Sequence, residues 1–327
     1  MAGGHPMNPP YTLNDAAIAF LADRSRRGFV SVSSNKRALA FAQYASNRGH
    51  TWPMTAELCV EWARDEARIA DPFTWARRLD ELRTFSHFLA GIDAATQFPS
   101  GSPFGRSTRR LSPHIYTSAE IQRIVDEATM LRPTMSLRPA TFTTMFGLLA
   151  ATGLRISEAL ALRLVDTDLS TGQLTIRTSK FGGSRLVPLH PTTVQALGRY
   201  LARRNHYAGS NEDECFFTGH PDGRAIPYTT ARHAFTRLPA HKDIRPRGGH
   251  PRVRIHDLRH TFVCHRLMLW LEQGINIDNA IMALSTYVGH VEPKSTYWYM
   301  EAIPELMALT SARFERATQK VGGADHA

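Results

Sequence analysis

The sequence has few of the residues that typify disulfide-bonded, zinc-binding or membrane proteins. Its 327 residues include three cysteines, far apart and with no Cys-x-x-Cys pair: Cys59, Cys215 and Cys264. A sparse, odd number predicts reduced thiols and argues against a thiolate zinc site. The amino-terminal residues lack the charged head and apolar core of a secretory signal. The most apolar run, 142–154, is too short to cross a bilayer, so we expect a cytoplasmic protein with no membrane partner.

Lysine is also scarce, yet the chain is strongly basic. Only five of its 39 basic residues are lysine, and 29 acidic residues leave a net charge of +10. Such a charge favours a polyanionic partner, with nucleic acid ahead of a membrane surface, although an arginine-rich proteome would also produce it. The content of 43% hydrophobic and 21% charged residues is that of a globular protein. The length predicts two domains.

Residues 1–96 predict an amino-terminal helical domain. Four candidate helix starts follow one another, at Asn14, Ser34, Thr55 and the pair Asp71-Pro72. Each is a residue type that commonly caps the start of a helix. The signal at Asp71 is strengthened by Pro72, because proline suits the first turn of a helix.

A linker is predicted next, over residues 97–113, because Gly, Ser and Pro are frequent there and apolar periodicity is absent. The linker is basic, with Arg106, Arg109 and Arg110. These arginines either lie along DNA phosphates or belong to a solvated hinge, and the sequence favours neither.

Residues 114–327 predict a second, mostly helical domain with one small β-hairpin. The hairpin pairs 173–178 with 185–189 across the turn SKFGGS. Residues 239–256 are rich in Pro, Gly and Arg and predict a loop. A last helix is expected over 304–320. The predicted fold class is therefore mostly α, with the hairpin inside the carboxyl-terminal domain.

Several residues of this domain suit phosphate chemistry, although each also has a structural explanation. Arg155 stands at a helix entrance, where its planar fork suits two phosphate oxygens, or where it simply pairs with Glu158. Lys180, in the hairpin turn, can act as a general acid, or it is an ordinary turn lysine. His256 and Arg259 are three apart at a helix start and therefore share one face.

A histidine and a tyrosine complete the set. His290 follows Gly289, and Tyr299 lies nine residues later. A tyrosine hydroxyl needs a nearby base and cations before it becomes a useful nucleophile. Tyr297 is a second candidate, but at about 100° per residue it points roughly 200° away on a helix, so both cannot face one phosphate.

The order Arg155, Lys180, His256-x-x-Arg259, Gly289-His290 and Tyr299 resembles the tyrosine recombinase, or phage-integrase-like, family. The surrounding motifs ATGLRISEALALRL, TSKFGGSRLVPLHP, HDLRHTFV and VGHVEPKSTYWY are similar too, and the resemblance covers about residues 115–305. The last motif resembles the branch linked to site-specific transposons and integrative elements. Residues 1–96 resemble the family's core-binding domain by architecture alone.

The resemblance implies a site-specific DNA recombinase or integrase that cuts and rejoins DNA through a 3′-phosphotyrosyl bond, without metal or ATP. Tyr299 would attack the phosphate, Arg155 and Arg259 would clamp its oxygens, and His290 would hydrogen-bond it. Lys180 would protonate the departing 5′-oxygen, and His256 would accept the tyrosine proton. No cofactor is expected.

The implied partners are double-stranded recombination sites, bound by a tetramer that is a monomer or weak oligomer when free. Residues 304–320 would pack on a neighbouring protomer, and accessory recombinases or DNA-bending proteins are possible partners. The protein would be associated with the nucleoid.

Two alternatives to recombination remain: DNA relaxation of the type IB topoisomerase kind, and a non-catalytic DNA-binding protein of the same fold. The segment 238–251 departs from the family by its length and basicity. It is either a DNA contact or a flexible insert, and its candidate contacts are Lys242, Arg245 and Arg247.

Overall fold

The computed structural model describes residues 12–28, 32–108, 110–177, 184–208, 213–290 and 292–302, together with positions 307 and 311. The chain divides into two compact units, Met1–Arg110 and Leu111–Ala327. The division falls within the segment 97–113.

The first unit contains four helices over its described residues: α1 Leu13–Arg26, α2 Val32–Asn47, α3 Ala56–Asp65 and α4 Pro72–Ala90. Asp71 caps α4 by accepting from the backbone N–H groups of Phe73 and Thr74, as the Asp-Pro pair predicts. Thr55 caps α3 in the same way. The cap of α1 is Thr12 rather than Asn14, and Ser34 lies inside α2.

The core of this unit is aromatic. The rings of Phe41 and Trp62 meet edge to face at 5.7 Å, and both side chains are fully buried. Phe20 packs on Phe85 at 5.2 Å across α1 and α4. Such rings remove a large apolar area from water, and this burial stabilises the bundle.

The second unit is mostly helical with one small sheet, which confirms the predicted fold class. Its helices are α5 Ser118–Ala128, α6 Arg138–Thr152, α7 Ile156–Ala161, α8 Pro191–Ala208, α9 Tyr228–Thr236, α10 Ala240–Asp243, α11 Asp257–Glu272, α12 Ile277–Val288 and α13 Lys294–Ala302. Its strands β1 Thr167–Asp168, β2 Gln173–Arg177 and β3 Ser184–Pro188 form an antiparallel sheet in that order. The register places Arg177 opposite Ser184.

Helix α6 is central to the core of this unit, packing against α5, α8 and α11. Phe142, Met145, Phe146 and Leu149 are buried along it. A second cluster joins α11, α12 and α13, and includes Val263, Ile281, Val288 and Tyr299. This cluster fixes the tyrosine-bearing helix α13 against α11.

Two glycines end helices beside the candidate site. Gly153 ends α6 with φ +63°, and Gly289 ends α12 with φ +70°, both in the left-handed region that glycine adopts without strain. An added Cβ at Gly153 would lie 2.5 Å from a ring carbon of Phe262. Each tight turn places the next polar residues, Arg155 and His290, next to a helix end.

One sequence prediction differs from the structure in this unit, and one helix was missed. Residues 239–256 contain one short helix, α10, where a loop was expected. Helix α9 was not anticipated. The predicted helix 304–320 lies outside the described residues apart from positions 307 and 311, which are helical.

Candidate active site

Arg155 is held at the start of α7 by Glu158. The carboxylate of Glu158 accepts from the Arg155 backbone N–H at 2.9 Å and from its guanidinium Nη1 at 2.9 Å. Nη2 of Arg155 donates to the carbonyl of Gly289 at 2.8 Å. The structural pairing with Glu158 and a phosphate-facing role are therefore compatible, because the pairing orients a fork that is still about one-third exposed.

Arg185, on β3, ties the same carboxylate to α12. Its Nη1 and Nη2 donate to Glu158 at 3.0 and 2.8 Å, and its Nε donates to the carbonyl of Tyr287 at 2.9 Å. Burial raises the pKa of Glu158, but the hydrogen bonds from Arg185 and Arg155 lower it by a larger amount. The pKa of Glu158 therefore lies below the ordinary value. The carboxylate stays charged and fixes both arginines.

Arg259 is buried in the first turn of α11, at 2% exposure. Its Nη1 donates to the carbonyl of Gly153 at 2.7 Å. Its Nη2 is buried and has no hydrogen-bond partner among the described residues. Burial, and then the like charge of Arg155, lower the pKa of Arg259 to about 10. An anion next to Nη2 would accept its hydrogen bond. The anion would also offset the cost of burying the Arg259 charge and its repulsion by Arg155.

Tyr299 is buried on α13 at 1% exposure, with its hydroxyl 2.5 Å from Nδ1 of His260. It lies close enough to Arg259 to affect that residue's pKa. Tyr297 is 38% exposed, and its hydroxyl donates to Asp278 at 3.2 Å. The two tyrosines thus differ in burial and partners, consistent with their spacing on a helix.

His256 precedes α11 and meets His260 edge to face, with ring centroids 4.7 Å apart. Burial, followed by the charges of Arg259 and Arg254, lowers the pKa of His256 to about 4. Its ring is therefore neutral at physiological pH in the protein without DNA. A phosphate bound between the arginines would reverse part of this effect.

His290 follows the turn at Gly289 and is anchored to α13. Its Nδ1 lies 2.7 Å from Oγ1 of Thr296, which is 2.7 Å from Oγ of Ser285. Both hydroxyls are buried. These two hydrogen bonds, between Ser285 and Thr296 and between Thr296 and His290, set the orientation of the His290 ring.

The remaining predicted site residues fall in three groups. Lys180 and Arg109 lie outside the described residues. Arg106, Arg110, Lys242 and Arg245 are exposed. Arg247 is already engaged, since it donates to Glu120 at 2.6 Å and to the carbonyl of Ile115 at 2.6 Å.

Sequence reasoning missed two residues of this arrangement, His260 and Arg185. The signal for His260 was present in HDLRH, where it lies four residues after His256 and so on the same helical face. Arg185 gave no local signal, because its role depends on the pairing of β3 with β2 and on contact with α12.

Among the described helices, none is long and apolar enough to span a membrane. The same residues contain no group of three or more His, Cys, Asp or Glu side chains suited to a metal ion.

Comparison with known proteins identifies relatives that match most of the chain. The phage integrase family model matches residues 115–305, more than half of the chain. A Sinorhizobium fredii protein, y4rB, whose name describes it as an integrase/recombinase, is 33% identical over 310 residues, or 93% of this chain and 98% of its own. The tyrosine recombinase XerD of Caulobacter vibrioides is 30% identical over 246 residues, covering 74% and 75%.

Solved structures show the same fold. XerH recombinase bound to a palindromic difH substrate matches 95% of this chain and 87% of its own, with a TM-score of 0.64 and 15% identity. The Tn1549 transposon integrase bound to transposon right-end DNA matches 93% and 99%, with a TM-score of 0.62 and 18% identity. At these identities the likeness is one of fold alone.

These relatives define the class of the tyrosine recombinases, which are DNA strand transferases. The predicted enzyme class is therefore confirmed. The chain belongs to the phage integrase family.

Proposed function

We propose that this protein is a site-specific recombinase that cuts and rejoins double-stranded DNA through a 3′-phosphotyrosyl bond on Tyr299. The observation that carries the proposal is the open, buried donor of Arg259 beside Arg155 and Tyr299. A buried cation with an unpaired N–H is costly unless an anion completes it. A scissile phosphate is the anion that a neighbouring tyrosine could attack.

The roles follow from charge and contact. Arg155 and Arg259 bind the non-bridging oxygens as negative charge builds on them, and loss of one such donor typically costs about 2.7–4 kcal/mol. His290, set by Thr296, hydrogen-bonds the same group. Lys180 protonates the departing 5′-oxygen, and a histidine takes the tyrosine proton, a role that the family resemblance gives to His256.

The arginines and the lysine provide the positive charge that metal ions provide in many other phosphoryl-transfer enzymes. The phosphotyrosyl bond keeps the energy of the phosphodiester, so rejoining needs no nucleotide. Cleavage is therefore expected to continue in EDTA and without ATP. Loss of cleavage on chelation, restored by Mg²⁺, would contradict this part of the proposal.

DNA contacts beyond the active site are proposed for basic residues of two segments. These are the exposed Arg106 and Arg110 in the linker, together with Arg109, which lies outside the described residues, and the exposed Lys242 and Arg245 in the segment 238–251. Arg247 contributes less in this proposal, because Glu120 already neutralises it. Phosphate contacts of this kind give affinity without sequence specificity.

Assembly is proposed to be a tetramer on two DNA sites in the cytoplasm, with residues 304–320 exchanged between protomers. Truncation at Pro304 should then abolish synapsis, measured by sizing the protein–DNA complexes, while single-site binding persists. Unchanged tetramer assembly by the truncated chain would reject the exchange.

The test of the function begins with capture of the DNA target. The wild-type chain is expressed in cells, rapidly denatured, and the DNA attached to it is sequenced. The captured site is then built as a duplex with a nick just 3′ of the cleavage point, so that the short fragment with the free 5′-hydroxyl diffuses away and the adduct persists. We expect an adduct with the wild type and with Tyr297→Phe, and none with Tyr299→Phe.

Equal capture by Tyr299→Phe would show that the nucleophile is a different residue. Failure of the wild type to form any adduct would favour a non-catalytic DNA-binding protein. Relaxation of one supercoiled duplex without paired sites would favour the topoisomerase alternative.

A further inference from the structure

His260 is the histidine in direct contact with the candidate nucleophile. Its Nδ1 lies 2.5 Å from the Tyr299 hydroxyl, and the two rings lie 5.5 Å apart at 53°. Tyr299 is almost fully buried, so this contact joins α11 to α13 in the interior of the unit. A neutral imidazole with its proton on Nε2 presents a lone pair at Nδ1, and the phenol can donate to it.

His256, the histidine that the resemblance favours as base, has less suitable surroundings. Arg259, Arg254 and Arg155 all act on it, and with burial they lower its pKa to about 4. A phosphate between the arginines would offset part of this effect, so position is what separates the two histidines. The ring of His256 packs on that of His260, and it is His260 that contacts the Tyr299 hydroxyl.

We propose that His260, rather than His256, takes the proton of Tyr299 during DNA cleavage. The inference rests on the proposed function and deepens it. In this step the Tyr299 O–H bond breaks and its proton moves to Nδ1 of His260. The phenolic oxygen forms a bond to phosphorus, the bond from phosphorus to the 5′-oxygen breaks, and Lys180 protonates that oxygen. On rejoining, His260 returns the proton to the departing phenol.

The test uses the full-length protein and the nicked duplex that carries the captured site, in single-turnover cleavage assays. His260→Asn places an amide oxygen near the position of Nδ1, where it can accept a hydrogen bond but hold no proton at neutral pH. We expect its cleavage rate to fall by about 10²-fold or more, the range typical of general base loss. DNA affinity and melting temperature should stay near those of the wild type.

Two further variants separate proton transfer from packing. His260→Gln, whose longer amide does not match Nδ1, should be equally slow. His260→Ala should recover part of its rate when imidazole is added, because the added base can enter the space that the side chain leaves. His265→Asn is the matched control, since it makes the same substitution further along α11 and should cleave at the wild-type rate.

A wild-type cleavage rate in any folded His260 variant would overturn the inference. Imidazole rescue of His256→Ala but not of His260→Ala would overturn it as well, and would return the role to His256. If the wild type itself formed no adduct on the captured DNA, the proposed function would fail first. The two failures are therefore distinguishable.

Discussion

Replacement of Glu158 by glutamine should destabilise the second unit and loosen both site arginines. The wild-type carboxylate accepts four hydrogen bonds, from the backbone and Nη1 of Arg155 and from Nη1 and Nη2 of Arg185. Its side chain is only 8% exposed. Glutamine keeps the shape but removes the charge, and it directs an N–H₂ group towards a guanidinium.

The magnitude follows from this burial. Removing one partner of a buried ion pair costs about 3–5 kcal/mol, and the partial exposure of Arg155 favours the lower end. For a unit of this size, about 3 kcal/mol corresponds to a fall of roughly 6–12 °C in melting temperature. DNA cleavage should slow as well, because the fork of Arg155 loses its fixed orientation.

The assay is thermal unfolding of wild type and Glu158→Gln, with Asp222→Asn as the control. Asp222 and Arg224 are both more than 60% exposed, so their ion pair should contribute less than about 1 kcal/mol. A melting temperature of Glu158→Gln within about 2 °C of wild type would refute the reasoning that the buried carboxylate organises the site.

The pH dependence of this difference has a definite sign. The pKa of Glu158 in the folded protein lies below its ordinary value, so its stabilisation is complete above the ordinary glutamate pKa. The stabilisation is lost as the pH falls through the folded-state pKa. The stability difference between wild type and Glu158→Gln should therefore be constant near neutrality and shrink in acid, and a difference that grows in acid would contradict this assignment.

Three further predictions concern backbone, cap and charge. Gly153→Ala should lower the free energy of unfolding by at least about 1 kcal/mol, because of its left-handed φ and its contact with Phe262, whereas Gly147→Ala in the same helix should stabilise by about 0.5–1 kcal/mol. Thr117→Ala removes the capping box of α5 and should cost about 1 kcal/mol in urea unfolding; no change would mean that the cap is redundant. DNA affinity should fall by orders of magnitude between about 50 and 200 mM salt, and a flat response would exclude binding through many phosphate contacts.

The sequence was most informative where local chemistry decides the structure. Asp71 followed by Pro72 predicts the start of α4, and Thr55 the start of α3, because a capping side chain satisfies backbone N–H groups that no other part of the helix can satisfy. The hairpin was also predictable, since two alternating segments flank a glycine-containing turn. Helix α10 was missed because a single turn between prolines has too few residues to show periodicity.

The candidate site was only partly predictable for a different reason. The order of Arg155, His256, Arg259 and Tyr299 indicates the chemistry, but not which side chains touch. The contact of His260 with Tyr299 depends on the packing of α11 against α13, which involves residues 39 apart in the chain. No local pattern encodes such a contact.

The central claim is that Tyr299 becomes covalently bonded to DNA, and mass spectrometry of the trapped adduct tests it most directly. After nuclease and protease digestion, the peptide that contains Tyr299 should carry a nucleotide linked through its 3′-phosphate to the phenolic oxygen. A nucleotide on any other residue of the chain, or an adduct linked through a 5′-phosphate, would contradict the account.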